Sequence, residues 1–120
     1  MATQIDPSFP SEALTGLGIK VVQTASPGTT IHTGSSTATD IDEVTIYACN
    51  TDTYSRTLTI QWGGTTHPDN SIVIVLAPQD GLKLVVPALP LKGAATPLVI
   101  KAFASAANVV IVHAKVERIS

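Results

Sequence analysis

The feature that most constrains the fold is a strict alternation of apolar and polar residues along two neighbouring runs, residues 43–50 and 56–62. The residues on one face of each run are apolar: Val44, Ile46 and Ala48 in the first, and Leu58, Ile60 and Trp62 in the second. Because successive side chains of a strand point to opposite faces, this pattern predicts a half-buried β-hairpin. Residues 51–55 are polar and predict its turn.

The rest of the chain repeats the same kind of element. Strands are predicted near residues 19–25, 30–33, 71–76, 82–86, 98–104 and 109–119, and we expect Pro87 and Pro90 to stop the strand at 82–86. No stretch shows a helical period. About eight short strands at spacings near ten residues predict a single-domain, all-β protein, a β-sandwich of jelly-roll-like type.

Residues 1–18 differ from the rest of the chain, because two prolines and two glycines interrupt them. We predict an extended N-terminal arm over 1–18 and the β-sandwich domain over 19–120. The arm carries Phe9, Leu14 and Leu17, which are apolar enough to dock on a neighbouring chain.

Two predicted strands, residues 71–76 and 109–112, are apolar on both faces. One layer of a sandwich covers only one face of a strand, so the other face needs a loop or a second chain. Together with the arm, these strands supply the predicted interaction residues: Phe9, Leu14, Leu17, Ile72, Ile74, Val109 and Ile111.

Composition excludes several classes of function. Charged residues make up 13% of the chain, against about 25% in typical domains, and the seven Lys and Arg residues are scattered. We therefore predict no nucleic-acid partner. No apolar run approaches the ~20 residues of a membrane span, so no membrane partner is predicted. No secretory signal is recognised at the N-terminus, and synthesis in a cytoplasm is expected.

Reactive side chains form no recognisable constellation. The three histidines lie far apart in sequence, which argues against a metal site. The acidic residues at 40–43 could offer oxygens to calcium, but Asp42 and Glu43 should point apart, and a solvated loop end is favoured. Cys49 and His113 could be combined with an aspartate only on paper, so a small packed side chain is predicted at Cys49. We predict no catalytic, cofactor or metal site, and no enzyme.

Several short segments resemble small structural proteins of tailed bacteriophages. They lie within residues 30–120 and include Ile31-His32-Thr33, the runs at 42–48 and 58–64, Gln79-Asp80-Gly81-Leu82 and Ala107-Asn108-Val109. The resemblance implies a virion component on the capsid surface, a decoration or cement protein that binds the major capsid protein as a homotrimer. It implies no catalytic residues and no cofactor.

Two other interpretations stay open. Within the virion, the chain could instead be a tail, collar or fibre-associated β-module. Outside it, the chain could be a soluble β-module that binds a carbohydrate or a peptide, although Tyr47, Tyr54 and Trp62 are few for that purpose.

Overall fold

The computed structural model describes residues 4–120, and this part of the chain contains nine β-strands and no helix. The strands are β1 (Ile5–Ser8), β2 (Ile19–Lys20), β3 (Thr29–Thr33), β4 (Ile41–Asn50), β5 (Arg56–Trp62), β6 (Ser71–Leu76), β7 (Lys83–Lys92), β8 (Val99–Ala104) and β9 (Val110–Ile119). The prediction of an all-β sandwich is confirmed, with nine strands where about eight were expected. Residues 4–120 hold no helix that is long and apolar enough to cross a membrane.

The strands form two antiparallel sheets. One has the order β1-β9-β4-β7, with β2 also paired to β9 beyond the end of β1. The other has the order β3-β8-β5-β6. Long ladders between distant parts of the chain hold the first sheet together, since Ile41 pairs with Ile119 and Asn50 pairs with Val110.

The predicted hairpin between residues 43–50 and 56–62 is wrong, because β4 and β5 belong to different sheets. The polar residues 51–55 carry the chain across from one layer to the other. The apolar faces of the two strands meet across the core instead of lying side by side. Burial alternates along β4 as predicted, but Leu58 to Gln61 are all buried in β5, because residues 26–28 cover its outer face and bond to Gln61. Alternation identifies which face of a strand is buried, but it does not identify the strand's hydrogen-bonded neighbour.

The core lies between the two sheets and consists of aliphatic side chains. Its fully buried members include Ile31, Val44, Ile46, Leu58, Ile60, Ile100, Val110 and Val112. Trp62 is partly buried and packs against this core at the end of β5. The period of two in β4 therefore places its inward residues correctly.

The predicted stop at Pro87 and Pro90 is also wrong, because β7 runs through both prolines to Lys92. β7 is the last strand of its sheet, and proline is tolerated on an edge strand where no partner needs its missing N–H. The pairing with β4 shifts register between Val44 and Tyr47, and Ala88 takes a left-handed φ of 42°. This edge is therefore irregular.

Residues 4–20 are attached to the domain along part of their length. β1 extends the sheet by pairing with the end of β9, and β2 pairs with its beginning. Residues 9–18 lie between these two ladders, and we call them the N-terminal segment. Pro10 within it is buried.

Candidate functional site

A buried polar cluster lies at one end of the sandwich and consists of His32, Asp42 and Arg118. Asp42 has 0% exposure because it points inward on β4, on the same face as Val44. Arg118 stands opposite it on β9 and donates from Nε to Oδ1 at 2.7 Å and from a terminal nitrogen to Oδ2 at 2.9 Å. His32, from the facing sheet, lies 2.8 Å from Oδ2 through Nε2. The cluster joins the two layers.

The other nitrogen of His32 fixes its tautomer. Nδ1 accepts a hydrogen bond from the backbone N–H of Ser11 at 3.0 Å, so the proton of the neutral ring sits on Nε2 and is donated to Asp42. The Ser11 hydroxyl oxygen accepts the backbone N–H of Thr33 at 2.7 Å. These two bonds hold the N-terminal segment against the edge of β3.

Charge and hydrogen bonding keep Asp42 ionised. Burial raises the pKa of Asp42, but the hydrogen bonds from Arg118 and His32 and the charge of Arg118 lower it by more, so it lies below its ordinary value of 3.8. The hydrogen bond to Asp42 in turn raises the pKa of Arg118. The expectation of a solvated loop end at residues 40–43 is therefore wrong for Asp42. The signal that could have revealed its burial is its place in the alternation of residues 42, 44, 46 and 48.

The cluster is not arranged for nucleophilic catalysis, although it contains histidine and aspartate beside a serine. A triad needs a histidine nitrogen whose lone pair faces the serine hydroxyl. Here Nδ1 faces the backbone N–H of Ser11, and Nε2 faces Asp42. The residues considered from sequence are not joined either, since no hydrogen bond links Cys49 to His113 within residues 4–120. The arrangement supports a structural role.

An open cleft of about 470 Å³ lies beside the cluster, between the N-terminal segment and residues 34–40. Hydroxyl groups of Ser35, Ser36 and Thr37 line it, together with Phe9 and Leu14. Among the described residues, every buried side-chain nitrogen and oxygen already has a hydrogen-bond partner within the protein. No buried polar group is therefore left facing the cleft for a ligand to satisfy.

The predicted interaction residues fall into two separate places. Phe9, Leu14 and Leu17 are exposed on the N-terminal segment, with Leu14 at 69% and Leu17 at 72%. Gly18 follows directly and approaches β9 so closely that an added Cβ would lie 2.9 Å from the ring of His113. We call Phe9, Leu14 and Leu17 the N-terminal apolar surface.

The β9 residues of the prediction lie near this segment. Ile111 is half-buried, and an added Cβ on Gly18 would clash with its side chain. Val109 is half-buried and packs against the core. The second face of this apolar stretch is therefore covered at Ile111 by the N-terminal segment of the same chain.

The β6 residues lie on the opposite sheet. Ile72 and Ile74 point inward and pack against the core. Their neighbours Val73 and Val75 point outward and are 55% and 67% exposed. The sequence predicts that this strand carries an interaction surface, but the residues it predicts, Ile72 and Ile74, are the inward ones. Leu58 and Ile60 of β5 point inward, and residues directly opposite each other in a sheet share a face. Their partners Ile74 and Ile72 must therefore point inward, which leaves Val73 and Val75 as the outward pair.

Comparisons of the chain with protein families, with curated proteins and with solved structures find no match.

Proposed function

We propose that the protein is a structural subunit of a tailed-phage virion: a decoration or cement protein that binds the major capsid protein and stabilises the shell. One observation carries this proposal, the N-terminal apolar surface. Leucine side chains that are about 70% exposed on a segment held to its domain at Pro10 and Ser11 are suited to burial against a partner.

The way this surface is presented also supports the proposal. Ser11 fastens the middle of the segment to His32, which is held by Asp42 and Arg118 in turn. The apolar side chains on either side of Ser11 are thus offered by a positioned loop. A positioned loop loses less conformational entropy on binding than a free one.

We further propose that the protein acts as a homotrimer. A closed ring uses the same patch at each contact and avoids open filaments. Three-fold positions occur where capsomers of a shell meet, which suits a ring of three subunits. Each contact between subunits would need to bury about 1,000 Å² to be stable.

Co-sedimentation with capsids tests the proposal. The wild-type chain should pellet with emptied capsids of the phage that carries its gene, and the shells should resist heat better with it than without it. Replacing Phe9, Leu14 and Leu17 together by serine should abolish pelleting. The matched control replaces Leu82 and Leu84, two other exposed leucines, by serine and should still bind. Failure of the wild-type chain to bind any shell would contradict the proposal.

The open cleft favours a second candidate, a soluble ligand-binding β-module. Its hydroxyl-rich lining could hydrogen-bond a polar ligand such as a sugar. The complete internal pairing of buried polar groups among residues 4–120 weighs against this role. A thermal-shift screen with mono- and oligosaccharides decides between the two, because a capsid-independent monomer that a sugar stabilises would favour the module. A tail, collar or fibre location would be indicated by pelleting with tails and not with heads.

A further inference from the structure

The last strand of the second sheet, β6, presents an open backbone edge. Trp62 donates its N–H to the carbonyl of Asn70 at 2.8 Å, which fixes the phase of the ladder between β5 and β6. In an antiparallel pair, every second residue turns its N–H and C=O toward the neighbour, and those between turn them away. Alternate residues from Ile72 to Leu76 therefore bond to β5, whereas Ser71, Val73 and Val75 direct their backbone groups outward.

One of these outward groups already has a partner. The N–H of Ser71 donates to the carbonyl of Pro68 at 3.0 Å, within the turn that leads into the strand. The backbone groups of Val73 and Val75 remain at the centre of the edge, and the carbonyl of Ser71 remains at its end.

The other edges of the sandwich carry features that discourage pairing with another chain. β7 contains Pro87 and Pro90 and an irregular register. β1 is four residues long and contains Pro7. The N–H of Thr33 in β3 is already bonded to Ser11. Prolines, bulges, short strands and covering segments are the usual protections of sheet edges.

Within residues 4–120, none of these protections is found on β6 from Ile72 onward. Its sequence, Ser-Ile-Val-Ile-Val-Leu, contains no charge and no proline, and its register with β5 is regular over all six residues. Val73 and Val75 are more than half exposed on its outer face, and Ile72 and Ile74 are only partly buried on its inner face. A strand added beside β6 would cover apolar side chains on both faces and satisfy the outward backbone groups.

We propose that β6 pairs antiparallel with β6 of a second copy of this chain across a two-fold axis, so that two four-stranded sheets become one continuous sheet. A second copy suits this edge because an uncharged strand facing itself places no like charges opposite one another. The axis passes beside Val73. In this register Val73 exchanges both backbone hydrogen bonds with Val73 of the second copy. Val75 donates its N–H to the free carbonyl of Ser71 in the second copy.

The pairing does not depend on capsid binding, and it uses a different surface from the N-terminal apolar surface. A two-fold contact cannot close a ring of three. In a trimer it would join one trimer to another, and in a chain without the three-fold contact it would produce a dimer.

Sedimentation of edge variants tests the pairing. Val73→Pro removes a donor that points away from β5, and Val75→Lys places a charge on the open edge strand, so each should halve the particle mass with an unchanged circular dichroism spectrum. Val73→Thr keeps the N–H and the branched shape and should keep the wild-type mass. A wild-type mass that neither variant changes would overturn the proposal.

Cross-linking tests the register in a Cys49→Ser background. Residues directly opposite in a hydrogen-bonded pair have Cα atoms about 5.5 Å apart, within reach of a disulfide. Val73→Cys should therefore link two chains on mild oxidation, and Val75→Cys should not. Equal cross-linking at both positions would refute the pairing.

Capsid binding separates this inference from the proposed function. Val75→Lys should still pellet with capsids. If Val75→Lys loses capsid binding while the mass of the free protein is unchanged, β6 contacts the capsid protein and the pairing of two copies is wrong.

Discussion

Replacing Asp42 by asparagine should destabilise the fold more than any other change of a single charge. The carboxylate accepts bonds from His32 and two from Arg118, whereas an amide offers one oxygen and a pair of donor hydrogens. His32 cannot adapt by switching tautomer, because its Nδ1 accepts the N–H of Ser11. The amide nitrogen must therefore face another donor.

The loss in the free energy of unfolding depends on how deeply Asp42 and Arg118 are buried. Removing one partner of a fully buried ion pair costs about 3–5 kcal/mol. The side chain of Arg118 is 38% exposed and can turn partly to water, which places Asp42→Asn near the lower end, at about 3 kcal/mol. A chain of 120 residues has an unfolding entropy of about 0.25 kcal/mol per K, so the Tm should fall by about 12 °C.

Urea titration followed by circular dichroism measures this change. Asp80→Asn is the matched control, because Asp80 forms an ion pair with Lys83 on the surface, with both side chains about half exposed. It should change the free energy of unfolding by less than about 0.5 kcal/mol. A loss below about 1 kcal/mol for Asp42→Asn would refute the view that the buried polar cluster holds the two sheets together.

Three further outcomes are expected. Because the pKa of Asp42 is lowered on folding, ionised Asp42 adds to the free energy of unfolding above pH 3.8, and this stabilisation is lost as the pH falls through the folded pKa. In an acid titration below pH 3.8, the free energy of unfolding should therefore fall for the wild type and fall less for Asp42→Asn. Trp62→Ala should cost about 3 kcal/mol in a denaturant titration, since the indole is partly buried against the core, and a cost under about 1 kcal/mol would place it on the surface. Cys49→Ser and His113→Asn should leave capsid binding intact in the pelleting assay, and loss of binding with a native spectrum would reveal a site at β4 and β9.

The layer structure and most inward residues were predictable from sequence, because alternation reports directly on burial. Val44, Ile46, Leu58 and Ile60 are all buried as their spacing predicts. Strand partners were not predictable in the same way. A polar stretch such as residues 51–55 can turn a strand back within its sheet or carry it to the facing sheet, and both choices bury the same side chains.

The candidate surfaces were predictable only in part. The exposure of Phe9, Leu14 and Leu17 followed from their place in a segment rich in proline and glycine. The buried polar cluster was missed because its three members lie on three strands and are distant in sequence. Asp42 and Arg118 become neighbours only through the pairing of β4 with β9.

The crossing of residues 51–55 from one sheet to the other also governs when the domain can fold during synthesis. Within the described chain, β5 and β6 are the only consecutive strands that pair with each other. The partners of β4 on β9 lie between 60 and 78 residues further along the chain, so β4 leaves the ribosome long before they do. Contacts that close such long loops form slowly. We expect the β5–β6 hairpin to form first, with its apolar edge exposed, and the sandwich to close only when β9 has been made.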